Sequence, residues 1–285
     1  WQKGAIIFAA ASYLLYVIYR LVIYPWEQQR IEFGAETVVF PNSANSRFEK
    51  EVRYDQLQAI LAVARGPMQS ILIDYGEGLS SYGSKDFERD DAPALLRKEL
   101  MRRIHELPDS DAVLDRLETQ EERARAASQS DTPVTKALVG IVAVLYGFQL
   151  WTGALDETGM GMLRWGAAAP SLIDEGQYFR LIAANFFHGG WLHIALNGLA
   201  LFVLGTVIEK ITDGWSMLLA FLVSGLGGIM GSWLITEPWP HAVGTSTAIF
   251  GLFGVFAVIH IFYGRDLPPP YRQSKMWWVI IVGLN

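Results

Sequence analysis

Several apolar stretches in this chain are long enough to cross a bilayer, and they limit its possible folds more than any other feature. A hydrocarbon core of about 30 Å is crossed by a helix of about 20 apolar residues. Gly4 to Tyr24 meets that length, as do stretches near Ala137–Leu155, Leu192–Ile211, Trp215–Thr236 and Ser246–Tyr263. A further apolar run opens at Met276. Hydrophobic residues make up 51% of the 285 and charged residues only 18%, below the about 25% usual in soluble domains. The chain therefore reads as an all-α polytopic membrane protein.

The first stretch carries a single charge, Arg20, near its end, where the side chain snorkels to the headgroups. It is too long for a signal peptide and no small-residue cleavage site follows, so residues 1–26 are read as a transmembrane anchor. The chain begins at Trp1 and stops at Asn285, inside the apolar run from Met276, so it is expected to be a piece of a longer protein with its last span cut short. The net charge of -6 argues against a nucleic-acid partner, and the absence of cysteine excludes disulfides and thiolate metal sites.

Charge crowds between Glu27 and Lys136, which marks a soluble module between membrane-embedded parts. Residues 27–108 alternate in short β-type runs, IEFGAETVVF, RFEKEVRYDQLQAIL, QSILIDYGEG and LSSYGS, separated by Gly, Pro and Asn. A helix follows, with Leu95, Leu96, Leu100, Ile104 and Leu107 at helical spacing. Strands closed by one C-terminal helix resemble a small pleckstrin-homology-like domain, and VRYDQLQAI resembles the strand-and-turn element of bacterial versions. Its basic residues Arg47, Lys50 and Arg53 are too mixed with acids to imply a phosphoinositide site. Residues 109–135 are charged and helix-prone, without the heptads of a coiled coil, and read as a solvated linker helix. Residues 136–285 form the second apolar part.

Cationic loops set the orientation. Arg265, Arg272 and Lys275 follow the span ending at Tyr263, and Lys210 closes the span ending at Ile211, so both ends face the cytoplasm. The soluble module and Arg20 fall on the same side, and Ser246 near the outer face. The aromatic residues Trp165, Tyr178, Phe179 and Phe186, between the spans near Ala137 and Leu192, are of the kind that settles at an interface.

Two segments concentrate polar chemistry in apolar surroundings. In FRLIAANFFHGGWLHIALNGLALFVLG, His193 and Asn197 share one helix face, with His188 just upstream. Polar groups at membrane depth are costly unless paired or set in a wet cavity, so the trio marks function or interhelical hydrogen bonding, with neither favoured. In GTSTAIFGLFG, Gly244 and Ser246 open a helix whose face carries Thr247, Gly251 and Gly254. Taken alone, this segment reads as an N-cap followed by small-residue packing. A nucleophilic Ser at a helix start would also gain from nearby backbone N–H groups that steady an oxyanion.

In this order and spacing the two segments resemble the rhomboid family. Its H-x4-H-x3-N signature is matched by His188, His193 and Asn197, and its aromatic-Arg motif by Phe179 and Arg180. Its G-x-x-x-E-K stretch is matched by Gly205, Glu209 and Lys210, and its G-x-S by Gly244 and Ser246. The resemblance runs from Lys136 to Asn285 and implies a six-helix core, five helices of which begin within this chain. It implies an intramembrane serine endopeptidase of the bacterial inner membrane that cleaves transmembrane protein substrates with a Ser-His dyad and needs no cofactor or metal. Ser246 would be the nucleophile. Its own N–H would hold the oxyanion together with His193 and Asn197, with His188 and Gly244 in support and Arg180 and Glu209 bracing the first loop and a helix end.

The general base of that family is a His in the sixth core helix, expected after Asn285. His241 precedes Ser246 in a Pro-rich turn, and His260 lies about 21 Å down the same helix at 1.5 Å per residue. Thr247 stands where relatives mostly carry Gly or Ala. The alternative is a catalytically inactive rhomboid-like protein that binds transmembrane helices, or a subunit of a larger membrane complex whose cytoplasmic module docks a protein partner.

Overall fold

The computed structural model describes residues 30–41, 49–65, 68–155, 159–235, 241–264 and 266–272. The anchor at Gly4–Tyr24 and the run from Met276 lie outside the described residues. The chain divides into two compact units, residues 1–125 with 268–285, and residues 126–267.

In the first unit, strands β1 (Glu32–Phe33), β2 (Thr37–Pro41) and β3 (Glu49–Arg53) form one antiparallel sheet in sequence order. Strands β4 (Ala59–Arg65), β5 (Met68–Asp74) and β6 (Leu79–Gly83) form a second. Period-2 alternation turns Val38 and Phe40 of β2, and Ile71 and Ile73 of β5, into a common core, with Val38 opposite Val52 and Ile71 opposite Tyr82. RFEKEVRYDQLQAIL splits into β3 and β4 because a 3-10 turn at Tyr54–Gln56 breaks it. Helix α1 (Ala92–His105) adds Leu96, Leu100 and Ile104 to this core. Leu95 leaves the expected apolar stripe and is 45% exposed, since it falls one residue off the i, i+4, i+8 face of Leu96, Leu100 and Ile104.

Helix α2 (Ser110–Gln129) is the charged linker stretch, and it is more than a solvated connector. Val113 and Leu117, one turn apart, enter the same core, and Ala124 packs with Ala59 and Leu61. Arg116 donates to the Leu57 and Asp55 carbonyls, and Arg97 pairs with Glu121. The apolar residues are too few for a coiled coil but enough for one anchored face. Asp74, 2% exposed at the end of β5, accepts the Gly76 N–H and pairs with Arg272 of the segment Pro268–Arg272. Burial pushes its carboxyl up, while the Gly76 N–H and the Arg272 guanidinium pull it back.

The second unit is built on four long helices. Helix α3 runs Pro133–Trp151 rather than Ala137–Leu155. Proline at N1 starts it early. It ends because Gly153 adopts φ 67° while the Gly153 and Ala154 N–H groups reach back to the Leu150 and Gln149 carbonyls, the Schellman arrangement. The connection that follows folds into short helices α4 (Met160–Trp165), α5 (Pro170–Asp174) and α6 (Arg180–Ala183) and a 3-10 turn at Ala184–Phe186. Then come α7 (Trp191–Ile211), α8 (Gly214–Ile235), capped by Asp213 on the Ser216 N–H, and α9 (Ser246–Tyr263).

Four stretches among the described residues, Ser110–Trp151, Trp191–Ile211, Gly214–Leu234 and Ser246–Tyr263, are long and apolar enough to cross a membrane. Only 22–28% of each most apolar window is buried, so the remaining apolar surface suits lipid rather than water. Small residues let the helices meet closely: a Cβ on Gly205 would stand 2.7 Å from Met217 Cε and 2.9 Å from Thr135 Oγ1.

Candidate active site

Ser246 is the first residue of α9, where the opening N–H groups of a helix have no intrahelical acceptor. Ahead of it the chain is held by backbone hydrogen bonds. Ala242 and Ala168 exchange theirs at 2.8 and 3.0 Å, and the Gly244 N–H donates to the Ala184 carbonyl at 2.9 Å. Gly244 takes φ 124°, a conformation that favours glycine. It also has no room for a side chain, since a Cβ there would lie 2.7 Å from His193 Cε1, 2.8 Å from His193 Nε2 and 3.7 Å from Asn197 Nδ2. His193 and Asn197, one turn apart on α7, thus face the backbone two residues before Ser246.

His188 is fully buried behind them. Its ring meets that of His193 edge-on, with centroids 5.1 Å apart, and its Nε2 lies 3.2 Å from Thr245 Oγ1. Gln149 of α3 clamps its backbone in both directions, accepting the His188 N–H at 3.0 Å and donating to its carbonyl at 2.9 Å. Burial first, then the His193 ring, push the His188 imidazole down to about 4, so at neutral pH it is an uncharged hydrogen-bonding group.

Arg180 is 4% exposed and spends its guanidinium on the connecting loop, reaching the Leu163 and Ala167 carbonyls at 2.6 and 2.8 Å and Gln177 Oε1 at 2.9 Å. The Glu209 carboxylate, at the far end of α7, accepts the Val134 and Thr135 N–H groups and the Thr135 hydroxyl, and so caps α3. Lys210 donates to the Ala127 and Ser128 carbonyls at 3.1 and 2.6 Å. Of the remaining histidines, His241 rests on the loop glycine Gly159, where a Cβ would stand 2.7 Å from its Cε1. His260 points Nδ1 at the Phe256 carbonyl, 2.9 Å away on its own helix. Among the described residues no three His, Asp or Glu side chains gather closely enough to hold a metal ion. A cavity of about 1060 Å³ opens beside Trp151, Arg164 and Trp165, away from Ser246, His193 and Asn197.

Sequence reasoning missed three polar residues at this site: Gln149, Asn185 and Thr245, all at most 3% exposed. Gln149 carried a usable signal as an amide inside an apolar span. Asn185, between Ala184 and Phe186, carried a weaker one, and Thr245 looked like an ordinary loop residue.

Comparison with known proteins agrees in the same region. Residues 175–285 match the family model described as the Rhomboid domain. Rhomboid protease GluP of Bacillus subtilis is 31% identical over 142 residues, 50% of this chain and 28% of that protein. Putative rhomboid protease YdcA of the same organism is 29% identical over 153 residues, 50% of this chain and 70% of that protein. Rhomboid protease AarA of Providencia stuartii is 27% identical over 159 residues, 50% of this chain and 57% of that protein. The chain thus spans little more than a quarter of the first relative. With its apolar helices it is a multi-pass membrane protein, and over residues 175–285 it carries a domain of the rhomboid family.

Proposed function

We propose that this protein is an intramembrane serine endopeptidase that cleaves transmembrane protein substrates within the bilayer. The observation that carries this reading is the close approach of His193 and Asn197 to Gly244, which sets two side-chain donors beside the N-terminus of the helix opened by Ser246. Ser246 attacks the scissile carbonyl, and its backbone N–H, His193 and Asn197 hold the oxyanion that forms. A free hydroxyl is a poor nucleophile at neutral pH, so the reaction needs a base, a His carried after Asn285 in the full-length protein. His188 and Gly244 support the donors, while Arg180 and Glu209 brace the loop and the helices that carry them. The site opens toward the outer face of a bacterial inner membrane. The strand-and-helix module lies in the cytoplasm, a pleckstrin-homology-like docking surface for a protein partner.

Labelling of the full-length protein with a fluorophosphonate serine probe tests the assignment. A label present in wild type and lost in Ser246→Ala supports it. A full-length protein with its downstream His intact that takes no label refutes it.

A further inference from the structure

The residue after Ser246 is a threonine, and the structure gives its side chain a specific partner. Thr247 Oγ1 donates to Asn185 Oδ1 at 2.7 Å. Asn185 is 3% exposed, and its amide N–H2 is spent on the Leu181 and Ile182 carbonyls at 3.2 and 3.3 Å, which leaves its oxygen aimed at Thr247. Both side chains occupy gaps left by glycines of α8: a Cβ on Gly225 would lie 2.7 Å from Asn185 Oδ1, and one on Gly228 2.7 Å from Thr247 Cβ. The branched side chain therefore packs where α8 carries a glycine.

We infer that Asn185 and Thr247 are a positioning pair that fixes the first turn of α9, and with it the place of Ser246. The inference rests on the protease reading above. The segment Ala184–His188 grips the chain on both sides of Ser246. Ala184 O takes the Gly244 N–H and His188 Nε2 meets Thr245 Oγ1 before it, and Asn185 Oδ1 takes the Thr247 hydroxyl after it. Without the last of these, the hydrogen bonds this segment makes to the helix start all precede Ser246. Ser246 and its backbone N–H are then free to tilt away from the donors on His193 and Asn197. Neither residue touches the reacting atoms; they act through Ser246.

The test uses the full-length protein in detergent with a fluorophosphonate probe and a transmembrane substrate. Rates are expressed per folded molecule, and melting is followed in parallel. Thr247→Val keeps the shape and removes the donor; Asn185→Leu removes the acceptor. Each is expected to slow labelling and kcat by about 10-fold to 100-fold with KM little changed, the size of effect that small misplacements produce. Thr247→Ser, which keeps the hydroxyl, restores most of the rate. The double variant is no slower than the worse single one, because both remove one interaction. If Asn185→Leu does not fold, Thr247→Val against Thr247→Ser decides alone. Wild-type labelling with Thr247→Val equally fast, even at a lower melting temperature, overturns the inference and leaves the protease reading standing. An unlabelled wild type overturns both.

Discussion

Glu209→Ala should be among the most destabilising single changes in the second unit, and the structure gives the reason and the size. The carboxylate is 6% exposed and accepts three hydrogen bonds, from the Val134 N–H at 3.0 Å, the Thr135 N–H at 2.8 Å and the Thr135 hydroxyl at 2.7 Å. Val134 is half-buried, so its N–H recovers water when the acceptor goes. Thr135 is fully buried and recovers nothing. Leaving its two donors unsatisfied costs about 1 to 3 kcal/mol each. The negative charge at the start of α3 contributes about 0.3 to 1 kcal/mol more through the helix dipole. The sum is about 2 to 7 kcal/mol, a drop in melting temperature of about 5 °C or more for a unit of this size. Thermal unfolding in detergent measures it. Glu209→Gln, which keeps one acceptor and loses the charge, should fall between wild type and Glu209→Ala. A Glu209→Ala protein that melts within one degree of wild type would refute the capping argument.

Asn197→Ala and His193→Ala should each slow cleavage by about 10-fold to 1000-fold, the usual loss for one oxyanion donor, with modest effects on melting. If their only task were packing, stability would fall and turnover per folded molecule would not. The His188 imidazole, held down to about 4 in the fold against an ordinary 6.5, binds a proton in the unfolded chain before it does in the folded one. Its contribution is therefore complete above pH 6.5 and lost as pH falls toward 4, about 3 kcal/mol in all. Melting temperature followed from pH 7 to pH 4.5 should fall more steeply in wild type than in His188→Gln, and equal slopes would remove His188 as the cause. Arg272→Met strands the buried Asp74 carboxylate, so the module should lose about 3 kcal/mol at neutral pH. The loss should shrink as pH falls and Asp74 takes up a proton. Limited proteolysis of the full chain at pH 7 and pH 5 reads both, and resistance unchanged at pH 7 would count against the pairing.

The parts of this protein that were legible in the sequence are those set by local pattern. A bilayer-length run of apolar residues can only be a helix in lipid, because its backbone polar groups must satisfy one another, so Leu192–Ile211, Trp215–Thr236 and Ser246–Tyr263 were readable to within a residue or two of α7, α8 and α9. A short run of β-branched and aromatic residues such as Thr37–Phe40, bounded by turn residues, marks a strand. The family's spaced His, Asn, Gly and Ser residues were legible for the same reason, being short-range patterns.

What the tertiary structure alone decided are pairings between residues far apart in the chain. Glu209 meets Thr135 across 74 positions, Thr247 meets Asn185 across 62 and Arg272 meets Asp74 across 198. No periodicity records such pairs. Gln149 illustrates the difference. Its amide was visible inside an apolar span, but only the packing of α3 against the turn before α7 shows that it holds the His188 backbone. Thr247 illustrates it again. By sequence it is a bulky residue at a tight place, and only the glycines of α8 with the Asn185 oxygen behind them turn it into a hydrogen-bonded fit. Local sequence sets where each side chain points along its own element. Whether that side chain finds a gap, a clash or a partner depends on which distant segment packs against it.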